Sequence, residues 1–243
     1  MSNSFEKLTK LIKSSNSIII MTHQQMDLDA LGSALCLNKI IDILNKKSFI
    51  FLEDKLNNPI KKALEILSKN IKFINKETIV NKDLDLLIVL DTHKEKLLAY
   101  PQIIHKFKKI VIIDHHIINT DLIENTTLNI IESQLSSTNE ILVNYLLYLE
   151  LQVDSNIATV MLAGIETDTN SFNTKTTEKT YEAAAYLTRI GANNLEKSKL
   201  LKETKEEYLK IQQLIKKSFI VEDGIVLCLM DNKIYKNYNL AII

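Results

Sequence analysis

The chain has little of what punctuates or staples a fold: 4 glycines, 2 prolines and 2 cysteines in 243 residues. So few glycines and prolines exclude a Gly/Ser/Pro-rich linker, and with no low-complexity tract the sequence reads as globular throughout. Cys36 and Cys228 sit in apolar segments without a Cys-x-x-Cys pair. That spacing excludes a disulfide framework and predicts buried free thiols in a reducing compartment, the cytoplasm. Net charge is also missing, since 30 acidic residues balance 30 basic ones. No whole-chain positive field is available to recruit long nucleic acid, so any phosphate binding must be local. Long hydrophobic runs are absent too: Ile18-Ile19-Ile20-Met21 and Leu86 to Leu90 fall far short of the roughly 20 residues a membrane helix needs, and Met1 is not followed by a signal-peptide pattern. Arg189 is the only arginine, a compositional bias without functional weight.

What remains is ample core material, 46% hydrophobic residues, and a length suited to one full domain plus a smaller appendage. Three short apolar runs end in residues able to do chemistry. Ser17 to Met21 ends at Thr22-His23, Leu86 to Leu90 at Asp91-Thr92-His93, and Ile110 to Ile113 at Asp114-His115-His116. Each run is rich in β-branched residues or Leu and too short for a helix, which predicts buried parallel strands. Helical patterns fall between them at Ala30 to Leu44, Ile60 to Leu67 and Ile103 to Phe107. Alternating strands and helices predict an α/β fold with a doubly wound, mainly parallel sheet, whose ligands collect at the carboxyl ends of the strands. Further helices are expected from Ser136-Ser137-Thr138-Asn139-Glu140 onward, where the hydroxyls can cap the first amides, and over Asn156 to Gly164, Glu178 to Ile190 and Leu195 to Lys217. Strands at Ile225 to Met230 and Leu240 to Ile243 suggest a second α/β domain that has only begun. The expected organisation is a catalytic domain over 1–192, connecting helices over 193–218, and an incomplete domain over 219–243.

The strand-end residues form one constellation. His23-x3-Asp27-x-Asp29 places an imidazole and two carboxylates in a single turn, able to face a hard divalent cation. Taken alone, an Asp there serves equally well as a helix N-cap. Asp91 ends its strand where a carboxylate can bridge two metals about 3.5–4 Å apart, or simply make a turn. His93 beside it is a supporting or substrate-facing group. Four of the five histidines fall in these three turns, a concentration that chance placement rarely gives, and His105 is left as an ordinary surface residue. Asp168 follows Ala163-Gly164-Ile165-Glu166-Thr167, where Gly164 permits close backbone approach. His23, Asp27, Asp29, Asp91, His115 and Asp168 together offer nitrogen and oxygen donors without thiolates, which suit manganese, iron or cobalt better than structural zinc.

These motifs resemble the DHH phosphoesterase superfamily. The likeness runs in order over His23-Gln24-Gln25-Met26-Asp27-Leu28-Asp29-Ala30-Leu31-Gly32-Ser33, Asp91-Thr92-His93, Asp114-His115-His116, Ser136 to Glu140, and Gly164 to Phe172. Within the superfamily the details, Met26 before Asp27 and Thr-Asp-Thr-Asn-Ser-Phe among them, look most like the catalytic part of bacterial cyclic di-AMP phosphodiesterases. The resemblance implies two Mn²⁺ ions, with Co²⁺ or Fe²⁺ as substitutes. One would be held by His23, Asp27 and Asp91, the other by Asp29, Asp91, His115 and Asp168. It implies hydrolysis of cyclic di-AMP to 5′-pApA by a metal-activated hydroxide, with His116 contacting the phosphate or protonating the leaving oxygen and Asp114 orienting a histidine. A small nucleotide substrate and a homodimer through the first domain are further implications. Superfamily members usually carry a complete DHH-associated domain with a glycine-rich motif, whereas this sequence stops at Ile243 without one, as expected of a shortened relative or a fragment. The alternatives are the superfamily's oligoribonuclease and 3′-phosphoadenosine-5′-phosphate phosphatase activity, a pyrophosphatase, and a nucleotide-binding protein impaired in turnover.

Overall fold

A computed structural model of the chain describes residues 1–67, 71–118, 121–222 and 225–228. The chain divides into two compact units, Met1–Leu201 and Lys202–Ile243.

The first unit contains a parallel six-stranded sheet, ordered β3-β2-β1-β4-β5-β6. Its strands are β1 (Ile18–Met21), β2 (Ser48–Phe51), β3 (Phe73–Ile74), β4 (Leu86–Leu90), β5 (Lys109–Asp114) and β6 (Leu128–Ile131). From β1 the chain winds outward to β3, then returns to lay β4, β5 and β6 on the other side of β1. The strand order therefore reverses between β1 and β4, and a crevice opens beyond their carboxyl ends, where ligands bind in sheets of this kind. The expected doubly wound architecture is the one observed.

Each central strand is buried on both faces, and the two-residue period sorts its side chains. Ile18, Ile20, Leu86, Ile88, Leu90, Val111 and Ile113 enter one apolar core; Ile19, Met21, Leu87, Val89, Ile110 and Ile112 enter the other. The first core is covered by α1 (Ser2–Ser14), α2 (Leu28–Ile43), α5 (Thr138–Leu149), α6 (Ser155–Asp168) and α7 (Glu178–Arg189), with α3 (Asn58–Ile66) and α8 (Asn194–Leu201) at its margin. The second is thinner and is closed by α4 (Lys76–Ile79) and the segment around Ile103 and Phe107. That segment differs from expectation. Pro101–Lys106 forms a 3-10 helix rather than an α-helix, because only Ile103, Ile104 and Phe107 have a core to enter and a short, tight turn suffices to bury them.

α2 is apolar nearly all round and lies buried between the sheet and α6. The close approach explains two glycines. A Cβ on Gly164 would stand 2.7 Å from the Leu28 carbonyl oxygen and 2.8 Å from the Asp29 Cα, and one on Gly32 would meet the Asn139 amide at 2.8 and 2.9 Å.

The expected single helix over Leu195 to Lys217 is instead two, α8 and α9 (Lys205–Lys217). Thr204 ends the continuity: its hydroxyl accepts from the Glu207 amide while the Glu207 carboxylate accepts from the Thr204 amide, a reciprocal cap that starts a new helix. In the second unit α9 is followed by an antiparallel pair, β7 (Ser218–Glu222) and β8 (Ile225–Cys228). The remainder of the expected strand to Met230 and the expected strand at Leu240–Ile243 lie outside the described residues.

Candidate metal centre

All three chemically loaded turns open into the crevice where the strand order reverses. Thr22-His23 follows β1, Asp91 follows β4, and Asp114-His115-His116 closes β5. The first turn is tied both to itself and to distant segments. The Gln24 amide donates to the Leu97 carbonyl and the Gln25 amide to Glu53, fixing Gln25 in the left-handed region at φ 58°. His23 Nδ1 lies 2.8 Å from the Gln24 carbonyl oxygen. A carbonyl can only accept, so Nδ1 carries the proton and Nε2 is turned into the crevice. There it stands 3.7 Å from Asp27 Oδ2 and 3.4 Å from Asp91 Oδ2.

Asp27 also caps α2, accepting from the Ala30 amide at 2.9 Å. One Asp27 oxygen thus serves as the N-cap while the other faces His23. Asp29 is fully buried and held from across the fold: its two oxygens accept from the Thr138 and Asn139 amides at 2.8 and 2.9 Å, at the amino end of α5. Asp91 is strained, at φ 62°, and its Oδ1 accepts from the Thr138 hydroxyl at 3.0 Å. His115 Nε2 lies 3.4 Å from Asp91 Oδ1 and 3.1 Å from Asp168 Oδ2, yet neither nitrogen of this buried ring has an aligned hydrogen-bond partner.

The donors gather into overlapping groups: His23, Asp27 and Asp91; Asp29, His115 and Asp168; and Asp91, His115 and His116. In each group the donor atoms lie within 4.8 Å of one another. Electrostatics shows what the cluster lacks. Burial pushes the Asp29 carboxyl well above its ordinary pKa, reinforced by the Asp91 and Asp168 carboxylates. Burial likewise lifts Asp168 to about 6, with Asp27 and Asp91 adding to it against His115. Burial acts to raise Asp91 as well, but the His115 and His23 imidazoles prevail and hold it below the usual carboxylate range. Four carboxylates facing two imidazoles, most of them buried, form an acidic cage. The crowding and the unpartnered His115 nitrogens fit divalent cations with nitrogen and oxygen ligands.

Beside this cage sits a second arrangement. Asp114 is buried between two rings, its Oδ2 2.6 Å from His93 Nδ1 and its Oδ1 2.7 Å from His116 Nδ1. Burial would raise its pKa, but His116 and His93 together hold it down. The ionised Asp114 accepts from both Nδ1–H groups, which leaves the Nε2 of His116 free on a half-exposed side chain. His93 is only 1% exposed, with its Nδ1 against Asp114. His105 is a surface residue paired with Glu95, and Glu166 turns away from the cage to pair with Lys197.

Sequence reasoning missed Glu53, Thr138 and Asn139. The hydroxyl-rich Ser136-Ser137-Thr138 run did signal a helix start, and Ser137 is the N-cap, accepting from the Glu140 amide. It gave no sign that the next amides and the Thr138 hydroxyl would seize two carboxylates from α2 and β4.

Residues 17–165, more than half of the chain, match the DHH family, N-terminal domain. Over 230 residues the chain is 34% identical to the cyclic-di-AMP phosphodiesterase GdpP of Bacillus subtilis, a match covering 90% of this chain and 35% of that protein. It therefore spans about a third of the length of that relative. It is 25% identical over 240 residues to the bifunctional oligoribonuclease and PAP phosphatase NrnA of Mycoplasma pneumoniae, covering 96% of this chain and 71% of that one. Among solved structures, an exopolyphosphatase-related protein from Bacteroides fragilis superposes with a TM-score of 0.78 at 18% identity, over 92% of this chain and 68% of the other. That likeness bears on the fold alone.

Proposed function

The chain belongs to the DHH family, and on that footing we propose that it is a two-metal phosphodiesterase that opens one 3′–5′ linkage of cyclic di-AMP to give 5′-pApA. The observation that carries the proposal is the position of Asp91, whose two oxygens face different donor groups, Oδ2 toward His23 and Oδ1 toward His115. His23, Asp27 and Asp91 would hold one ion, and Asp29, Asp91, His115 and Asp168 the other. Nitrogen and oxygen donors without a thiolate favour manganese, with cobalt or iron as substitutes. Such a pair supplies an activated water for in-line attack and neutralises charge on the phosphate oxygens.

The chain's own groups do the rest. Asp91 is held by the Thr138 hydroxyl, and Asp29 by two α5 amides, so the cage is arranged before a substrate arrives. Asp114 fixes the His116 ring and directs its Nε2 outward, where the imidazolium form contacts the phosphate or gives its Nε2 proton to the leaving oxygen. His93 supports Asp114 from behind. The second unit, from Lys202, would be the start of a substrate-binding domain, and the unpaired cysteines agree with a cytoplasmic setting.

A second reading, oligoribonuclease and 3′-phosphoadenosine-5′-phosphate phosphatase activity, is supported by the 25% identity to NrnA over 240 residues. Hydrolysis of cyclic di-AMP, pApA and diphosphate at one manganese concentration separates the two. Faster turnover of cyclic di-AMP, with 5′-pApA accumulating, is expected; a strong preference for pApA would transfer the assignment to the second reading.

A further inference from the structure

The loop between α6 and α7 contains the most concentrated backbone strain among the described residues. Asn170, Ser171 and Phe172 are consecutive and all left-handed, at φ 46°, 57° and 63°. Asn tolerates that region, but a Phe rarely adopts it. The turn is tied down by its own bonds: the Ser171 amide donates to the Glu166 carbonyl at 2.8 Å, and the Phe172 amide to the Thr169 hydroxyl at 3.0 Å. The consequence is a fixed ring. Phe172 stacks on Tyr181 with centroids 5.6 Å apart and planes 14° from parallel. Phe172 is half-buried against the core, whereas Tyr181 is 57% exposed and stacks on no other ring among the described residues.

Both rings lie close in sequence to residues tied to the metal cage. Phe172 lies four residues beyond Asp168, so their Cα atoms are at most about 14 Å apart. Tyr181 follows Thr180, whose hydroxyl donates to Glu140 at 3.0 Å, and Glu140 lies in the same first turn of α5 as Thr138, the partner of Asp91. We propose that Tyr181, backed by Phe172, is a stacking platform for a nucleobase of the substrate at the rim of the cage. The inference rests on the nucleotide-phosphodiesterase reading and adds the base subsite to it. A flat aromatic pair with one wet face binds any base by its π-surface, and nothing in the stack reads the base edge. The platform therefore favours purines for their larger face and does not separate adenine from guanine.

The test is equilibrium binding of AMP, GMP and ribose 5-phosphate to the manganese-loaded chain and to its Tyr181→Ala and Tyr181→Phe variants, with 2-aminopurine ribonucleotide fluorescence reporting stacking directly. Because Tyr181 is exposed, Ala at this position leaves the core untouched. Tyr181→Ala is expected to weaken AMP and GMP alike by on the order of ten-fold, within the range of base–aromatic stacking, to leave ribose 5-phosphate unchanged and to relieve 2-aminopurine quenching. Tyr181→Phe is expected to bind like the parent. Equal AMP binding by Tyr181→Ala and the parent, or no AMP binding by the parent, overturns the platform. Cyclic di-AMP hydrolysis by the parent, measured alongside, keeps the two ideas separate. Tyr181-dependent AMP binding without hydrolysis removes the proposed reaction and retains the platform; hydrolysis with AMP binding indifferent to Tyr181 does the reverse.

Discussion

The two halves of the metal cage are made of the same residue types and held in opposite ways. The outer half, His23 and Asp27, is partly open to solvent, with side chains 20% and 43% exposed, and is fixed by bonds within its own turn: Nδ1 to the Gln24 carbonyl, and the Asp27 oxygen to the Ala30 amide. The inner half, Asp29, His115 and Asp168, is nearly buried and fixed from elsewhere in the chain. Asp29 leans on amides more than a hundred residues away, and Asp168 reaches the cage only because α6 packs closely on α2. Local turns thus build a site that is easy to hydrate, and tertiary packing builds one that is costly to charge.

The largest effect should come from the residue common to both halves. Asp91→Asn keeps the left-handed backbone, which Asn tolerates, and removes the shared charge. Phosphodiester hydrolysis should fall at least about 10³-fold, manganese should be lost from inner and outer halves together, and the circular dichroism spectrum should stay unchanged. Loss of manganese from only one half in calorimetry would deny Asp91 its bridging position. His116 belongs to neither half by this account, so His116→Ala should reduce turnover about 10²-fold with manganese affinity nearly intact. A titration in which affinity falls and turnover does not would make it a ligand.

Removing a single charge should separate the halves by sign. Asp27→Ala loses the α2 cap, about 1 kcal/mol, and should lower the melting temperature of the chelator-treated protein by ~2–4 °C. Asp29→Asn acts the other way. The carboxyl of Asp29 is raised by burial first and then by Asp91 and Asp168, so its ionisation opposes folding at neutral pH, and an amide retains one acceptor oxygen for the α5 amides. Removing the charge should raise the melting temperature of the chelated protein by about 3 °C. Both variants should shrink the stabilisation that manganese confers. A lower melting temperature for Asp29→Asn would mean that its hydrogen bonds outweigh the repulsion.

The same contrast explains what the sequence could disclose. β1, β4 and β5 were legible because strands buried on both faces are written as unbroken apolar runs. β2, β3, β6 and α1 carry weaker patterns at the margins, and β3 has only Phe73 and Ile74. The break between α8 and α9 did have a signal, Thr204 three residues before Glu207, but the helical pattern running from Leu195 to Lys217 concealed it. In the cage, His23 and Asp27 of the outer half lie within five consecutive residues and could be read from them. The inner half depends on which amides meet Asp29 and which helix Gly164 allows to approach, and no window of sequence contains both partners.

The smallest expected effect is a difference in proton counts, and it tests whether burial alone distinguishes the halves. In the chelated protein burial disfavours the charged imidazoles, but Asp27 and Asp91 raise His23 to about 11, and Asp168, Asp91 and Asp29 raise His115 to about 11. Because both lie above the ordinary value near 6.5, their stabilising contribution is whole below about pH 6.5 and is lost as pH rises toward 11. A ligand imidazole is neutral, so manganese entry at pH 7.5 should release about one imidazole proton from each half, and the stabilisation by manganese should grow over that alkaline window. The inner half starts with more protons. Asp29 is raised well above the carboxylate range and Asp168 to about 6, each by burial first. Calorimetry in buffers of different ionisation heat, on Asp27→Ala to isolate the inner half and Asp29→Asn to isolate the outer, should give a larger inner count that climbs as pH falls from 7.5 to 5.5, while the outer count stays near one. Equal and flat counts would mean that both halves share one electrostatic environment, and that the difference in burial between them has no chemical consequence.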